Sequence, residues 1–364
     1  MAPQRTGHLI QTSIDLILQH QAPSGAYIAS PNFPTYHYCW FRDGAFIAYA
    51  MDLAGESASA RRFHDWAAAV IDARTEVVTR ALDKVTRGQD LEPADYLHTR
   101  YTLDGGEGEG EWPNFQLDGF GAWLWALEAH LASCRTPLPE AWRRTVAGVC
   151  DYLAALWQLP CYDCWEEFPD RVHPHTLAAI YAGLGAGTRL GAGDWSAARQ
   201  AIRADLERRA VYDGYFVKSY DSYTVDASLL GLAVPYAVFP PDDPRIRATV
   251  ERIETSLVRG GGVHRYPTDT YYGGGEWVLL AGWLGWHYVR SGDFERARLL
   301  LDWMTSQAGE EGCLPEQVSA SLIDPNYLRP WEQRWGPSAR TLLWSHAMYL
   351  ILHTELVASR KPAG

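Results

Sequence analysis

The run Val278-Leu-Leu-Ala-Gly-Trp-Leu-Gly-Trp286 has no charged side chain on any face. A helix of that composition is buried nearly all round, so it needs packing partners on every side. Alternating apolar and polar runs of strand type are scarce in the chain, whereas helical spacing recurs. Leu299, Leu300, Trp303 and Met304, for example, fall on one stripe. The patterns predict twelve helices, at 7–20, 42–54, 57–84, 115–132, 140–158, 174–190, 195–211, 224–232, 244–257, 275–291, 294–308 and 338–358. Asp194 and Asp293 stand where helix N-caps are wanted, and Asp243-Pro244 is a cap followed by proline at the first helical position. No Pro/Gly/Ser linker divides the 364 residues, and the Gly-rich stretches 104–110 and 260–262 each lead into a motif. Periodicity therefore predicts one all-α domain over residues 1–364. Alternation of surface-facing and buried helices suggests closure into an α/α toroid, although no sharp repeat marks it.

Composition narrows the function classes. Lys and Arg number 32 against 44 Asp and Glu, a net charge of −12, and no basic block offsets it. Nucleic acid and anionic membrane are thereby disfavoured as partners. No apolar run is long enough to span a bilayer. Residues 1–15 lack the basic and apolar regions of a secretory signal. Six cysteines are too few for a disulfide framework in a chain this long. Cys161-Tyr-Asp-Cys164 has no companion pair and reads as two reduced thiols, which suits a reducing cytoplasm. Sixteen tryptophans exceed what core filling asks for, since each buried indole N–H wants a partner.

Acids, aromatics and arginines gather in five loops between the predicted helices, where a rigid scaffold usually presents function. The first is Tyr36-His-Tyr-Cys-Trp40-Phe-Arg42-Asp43. The second is Trp112-Pro-Asn114-Phe-Gln116-Leu-Asp118. The third, Tyr162-Asp-Cys-Trp165-Glu166-Glu167, sets two carboxylates after an indole. The fourth runs His264-Arg265-Tyr266-Pro267-Thr-Asp269-Thr-Tyr271-Tyr272-Gly273-Gly-Gly-Glu276-Trp277. The fifth pairs Leu314-Pro315-Glu316-Gln317 with Arg340 and Trp344-Ser345-His346. Indoles that stack on ring faces, beside charged groups that bond hydroxyls, make a grip for a sugar. A carboxyl against an apolar wall can serve as a proton donor.

At these five clusters, from Tyr36 to His346, the chain resembles glycoside hydrolase family 15, the glucoamylase-like inverting α-glucoside hydrolases. The R-Y-P-x-D-T-Y-Y-x-G-x-x-W string is the most specific element of the resemblance. The family implies a six-fold (α/α) barrel of inner and outer helices, with a pocket for one non-reducing glucosyl unit at one end. By motif match Glu166 is the general acid and Glu316 the general base, with Glu332-Gln333 the alternative for the base. Glu167 would hold hydroxyls of the sugar next to the scissile bond. Arg42, Asp43, Arg265 and Asp269 match the polar clamp of the first subsite. Tyr36, Trp40, Trp112, Trp165 and Trp344 match aromatic or wall positions, and Trp277 is expected to pack behind the clamp. No metal or organic cofactor is implied; His264, His287 and His346 read as core groups.

The N-terminal β-sandwich of bacterial glucoamylases and the starch-binding domain of many fungal ones are not expected here. The resemblance is strongest to small actinobacterial isomaltose-type glucohydrolases. It implies an exo-acting enzyme on short α-glucosides, leaning to α-1,6 linkages, with maltooligosaccharides and trehalose as alternatives. Residues 105–111 and 319–336 would shape the subsite beyond the scissile bond. A small oligosaccharide is the expected partner, and a monomer the expected state. The rival from another class is a non-catalytic sugar-binding or regulatory domain. A toroid epimerase is a further rival, but the motif loops lack its histidine pair.

Overall fold

The computed structural model describes residues 2–309 and 311–359, with side chains from residue 7 onward; the expected domain's last five residues lie outside that range. Thirteen α-helices are present among the described residues: α1 (Ala2–His20), α2 (Phe41–Leu53), α3 (Ser57–Asp72), α4 (Thr75–Thr86), α5 (Asp118–Ser133), α6 (Glu140–Leu156), α7 (Pro174–Arg189), α8 (Ser196–Arg209), α9 (Pro244–Leu257), α10 (Val278–Arg290), α11 (Phe294–Ser306), α12 (Leu328–Trp335) and α13 (Leu343–Ala358). A 3-10 segment spans Ala227–Leu232.

An inner ring closes on itself. α2 packs on α5, α5 on α7, α7 on the 3-10 segment, that segment on α10, α10 on α13, and α13 back on α2. Outside it, α3 backs α2, α6 backs α7, α8 backs α7, α9 backs the 3-10 segment, α11 backs α10, and α1 backs α13. This is an (α/α)6 barrel. The inner helices are the ones apolar all round, as the 278–286 run predicts: Val278 to Val289 are all buried. Outer helices such as α3 and α9 bury a single stripe. α5 and α7 approach closely at two glycines. A Cβ on Gly121 would meet the Ala179 carbonyl oxygen at 2.3 Å, and one on Gly183 would meet the Gly121 Cα at 2.8 Å.

Five sequence expectations need correction. The helix foreseen at 57–84 is two, because Arg74 leaves helical geometry (φ −118°, ψ 23°). Its guanidinium bonds the Val70 and Gly105 carbonyls and lies over the Tyr101 ring. The helix expected from 115 starts at Asp118, since the Phe115 carbonyl is taken by the Tyr162 N–H. The one expected from 275 starts at Val278, after Glu276–Trp277 pair as strand. The one expected from 338 starts at Leu343. The 224–232 helix is the 3-10 segment, which Pro235 prevents from propagating by offering no N–H. A further difference is α12, which falls where a loop around Arg329, Glu332 and Arg334 is expected; Pro330 is accommodated in its first turn, where the N–H has no intrahelical partner.

The inner elements α2, α5, α7, the 3-10 segment, α10 and α13 all start at the same end of the barrel, and the motif loops precede their first turns. A four-stranded antiparallel sheet of two-residue strands ties two of those loops together: Val258–Arg259, Gly262–Val263, Glu276–Trp277 and Gln317–Val318. Trp277 pairs with Gln317, which sets Glu316 beside the start of α10, where its carbonyl accepts the Val278 N–H at 3.2 Å.

Candidate active site

A cavity of about 360 Å³ opens at this end of the barrel. Tyr36, Trp40, Arg42, Asp43 and Trp112 line it, as do Trp165, Glu166, Glu167, Arg265, Glu316 and Trp344. Trp344 forms its floor, against Phe46 (5.2 Å between centroids) and Trp283 (6.2 Å). Two side chains depart from expectation. Asp269 is fully buried and does not line the cavity. It grips the Arg265 guanidinium with both oxygens and accepts the Tyr271 N–H, so it aims the clamp from behind. Trp277, expected behind the clamp, lines the cavity and tilts against Trp165 at 5.4 Å. Glu332 is exposed on α12 and lies outside the lining.

Glu166 is held by one oxygen. Its Oε1 accepts from the indoles of Trp40 (2.6 Å) and Trp112 (3.1 Å) and from the Gln116 amide (3.1 Å). Gln116 cannot be flipped, since its Oε1 already accepts from Arg42 and Thr99. The second carboxylate oxygen of Glu166 is thereby the one left for a ligand. The residue sits at φ +68°, a left-handed conformation costing of order 1–3 kcal/mol for a residue with a Cβ. The surrounding loop over-determines it. Asp163 Oδ1 accepts the N–H groups of both Trp165 and Glu167 at 2.9 Å. Lys218, itself buried, bonds Asp163 (2.8 Å) and Asp226 (2.6 Å), and Asp226 accepts the Trp165 indole N–H and caps the 3-10 segment through the Ser228 N–H.

Glu316 lines the same cavity from the loop between α11 and α12. Tyr36 donates to its Oε1 at 2.9 Å, and the Tyr36 and Tyr271 hydroxyls meet at 2.8 Å. Its Oε2 has no hydrogen-bond partner among the described residues, nor has Asp43 Oδ2. Burial pushes the Glu316 carboxyl up to about 7, with the Tyr36 hydrogen bond and the charge of Arg265 pulling the other way. Burial likewise raises Asp43 to about 6, against the charge of Arg42. Glu167 is raised by burial, with Arg265 at 3.6 Å opposing; it accepts from Tyr266 at 2.7 Å.

A carboxyl poised near neutrality and a second carboxyl line one cavity walled by indoles. Residues 4–353 match the family model Glycosyl hydrolases family 15. The chain belongs to this family. Family 15 relatives include the isomaltose glucohydrolase of Kribbella flavida, 42% identical over 360 residues that cover 97% of this chain and 93% of that one. A solved glycosidase in complex with glucose superimposes with a TM-score of 0.93 at 41% identity, over 97% of each chain. The glucoamylase of Saccharomycopsis fibuligera, at 15% identity and a TM-score of 0.74 over 98% of this chain and 96% of that one, shares the fold. This family 15 chain is a glycoside hydrolase.

Sequence reasoning passed over several groups that the site uses. Gln116 and Asp118 stand in the second motif without a chemistry of their own in the sequence, yet Gln116 joins Glu166 to Arg42 and Asp118 takes the Arg42 guanidinium at 3.3 Å. Lys218 and Asp226 carry no motif signal at all. Trp331, Arg334 and Trp335 line the mouth of the cavity from within the 319–336 segment, where only the segment was legible. The three histidines are core groups. His346 joins Ser13 and the Leu314 N–H, His264 the Gly274 carbonyl, and His287 the Ser291 hydroxyl.

Proposed function

We propose that this enzyme is an exo-acting, inverting α-glucoside hydrolase that releases β-glucose from short substrates, with α-1,6 disaccharides of the isomaltose type preferred. The observation that carries the reading is that Glu166 and Glu316 line one tryptophan-walled cavity, each with an oxygen left free. Inversion asks for two carboxyl groups, one to protonate the leaving oxygen and one to activate water on the other ring face. Glu166 is assigned the acid: its Oε1 is anchored by three N–H donors, so the free oxygen carries the proton to the glycosidic oxygen. Glu316 is assigned the base: its unpartnered Oε2 takes the proton of a water, while Tyr36, kept a neutral donor by burial and by the neighbouring carboxylate, steadies Oε1. Arg42, Asp43 and Arg265 hold hydroxyls of the bound glucosyl ring, and their bonds strengthen as positive charge develops there.

The leaving sugar is assigned to the mouth, between Trp112, Glu167 and the α12 indoles Trp331 and Trp335. α12 is anchored there by Trp331, whose indole donates to the Thr270 carbonyl at 2.9 Å, and by the bond from Tyr272 to the Gly336 carbonyl at 2.8 Å. A cavity of 360 Å³ is at the small end of the range for ligand pockets, roughly 300–1,000 Å³, which suits a disaccharide better than a chain. The 42% relative, named an isomaltose glucohydrolase, supports the α-1,6 preference over maltooligosaccharides and trehalose. We also assign the enzyme to a reducing cytoplasm, on the strength of six cysteines that are all unlinked, and to the monomeric state. Light scattering after gel filtration at about 41 kDa would agree with the latter, and twice that mass would exclude it.

The test is a panel of isomaltose, maltose and trehalose ranked by kcat/KM, with the first product followed by NMR. Isomaltose should lead, and β-glucose should appear before mutarotation. An initial α-glucose signal excludes inversion; a higher rank for maltose or trehalose overturns the linkage.

A further inference from the structure

Nine residues after Asp43 along α2, and twelve after Asp118 along α5, a second polar cluster lies buried. At about 1.5 Å of rise per residue it sits roughly 14–18 Å from the sugar pocket, toward the other end of the barrel. It joins Asp52 of α2, His64 of α3 and His130 of α5. One donor atom from each lies within 4.8 Å of the others. The Asp52 and His130 side chains are 4% and 3% exposed, and His64 is fully buried. Among the described residues this is the one group of three or more His, Cys, Asp or Glu side chains with such spacing.

Two of the three members are partners of each other. His130 Nδ1 lies 3.0 Å from both oxygens of Asp52. His64 stands outside this pair: neither of its ring nitrogens has a hydrogen-bond partner among the described residues, although its ring stands 5.0 Å from that of His130. An unpaired buried imidazole wants an explanation, because its desolvation is otherwise uncompensated. Burial, and then the charges of His130 and Arg61, hold His64 well below the usual histidine range. Arg61 points elsewhere, stacking 4.4 Å from the Trp142 centroid and pairing with Asp65 at 3.1 Å.

We propose that Asp52, His64 and His130 form a structural site for one divalent metal ion, Zn²⁺ by the chemistry of its donors. Two imidazoles and one carboxylate, with a fourth position for water or the second carboxylate oxygen, is a zinc donor set. Bonds of about 2.0–2.1 Å place tetrahedral donors about 3.4 Å apart, so side-chain rotation of roughly an ångström closes the cluster on an ion. The ion would supply the partner that His64 lacks, and would tie α2, α3 and α5 together beneath the pocket. Its role is positional within the scaffold; none of its ligands lines the sugar cavity.

The experiment strips the full-length enzyme with a chelator, removes the chelator, and titrates Zn²⁺ alone by calorimetry, with bound metal counted by mass spectrometry after gel filtration. One Zn²⁺ per chain and a raised thermal midpoint are expected. Asp52→Asn and His64→Gln should each weaken uptake at least tenfold and abolish the rise in midpoint. Both variants are checked for folding by their hydrolysis of isomaltose or, should no sugar be hydrolysed, by their circular dichroism. Asp52→Asn keeps shape and volume should His64→Gln fail to fold. Cys134 is the control, because its exposed thiol adjoins the cluster, with Sγ 3.9 Å from His130 Nδ1; Cys134→Ser should retain the metal. No stoichiometric uptake by the parent, uptake unchanged in Asp52→Asn, or uptake lost only in Cys134→Ser each overturns the proposal.

Discussion

Glu316 shows how one side chain can be costly for the fold and useful for chemistry. Its folded carboxyl keeps a proton up to about 7, whereas the unfolded chain releases it near 4.5. The folded state therefore binds the extra proton between those values, and stability falls as pH rises through that window. At about 1.4 kcal/mol per tenfold change in proton affinity, ionised Glu316 costs up to about 3 kcal/mol. Glu316→Gln should accordingly melt higher than the parent at pH 8, with the gap closing below pH 5, as scanning calorimetry can show. The same substitution, and Glu166→Gln, should lower kcat by about 10²–10⁴ through loss of proton transfer; near-parental turnover in either removes that residue from the mechanism. The base must be ionised, so the acid limb of kcat/KM against pH should fall near 7. Tyr36→Phe removes a hydrogen bond that favours the ionised form and should move that limb to higher pH. An unmoved limb would detach Tyr36 from the titration of Glu316.

Elements, more than individual contacts, decide where the acids stand. The loop of Glu166 holds a left-handed residue because Asp163 fastens two of its N–H groups, and Asp163 is in turn fastened by Lys218. Lys218→Met leaves Asp163 and Asp226 as buried carboxylates without their cation, a loss of about 3–5 kcal/mol. Denaturant unfolding should show that loss, with kcat on isomaltose falling more than KM rises. Preserved stability would mean that water replaces the ammonium group. α12 is the counterpart on the acceptor side. Trp331→Ala removes both the anchor to Thr270 and one face of the mouth. It should raise KM for a disaccharide by roughly tenfold while leaving the hydrolysis of an aryl glucoside, whose leaving group needs less holding, much less affected. Equal losses on both substrates would place Trp331 in the support of Tyr271, whose ring lies 5.1 Å away.

Across the whole molecule, a closed ring of inner helices turns six chain segments into one rim, and the chemistry sits where the first turns of those helices meet it. Helical periodicity, the all-round apolar run 278–286 and the absence of a linker made an all-α single unit readable from residues alone. The motif strings made most of the pocket readable too, since Trp, Arg and acid clusters are local and keep their order. Other features had no local signature. The break at Arg74 depends on a guanidinium meeting carbonyls from another loop, and α12 helps wall the pocket because it docks on Thr270 and Tyr272. Asp269 and Trp277 exchanged places relative to expectation, as order along the chain does not reveal which side of Arg265 faces the cavity. Lys218 is one lysine in a loop until Asp163, brought in from a distant segment, closes on it together with the neighbouring Asp226. Composition and periodicity depend on neighbours three or four residues away and so survive in a linear string. Burial, the titration of Glu316 and the pairing of charges depend on groups tens to hundreds of residues apart, and only closure of the barrel brings those together.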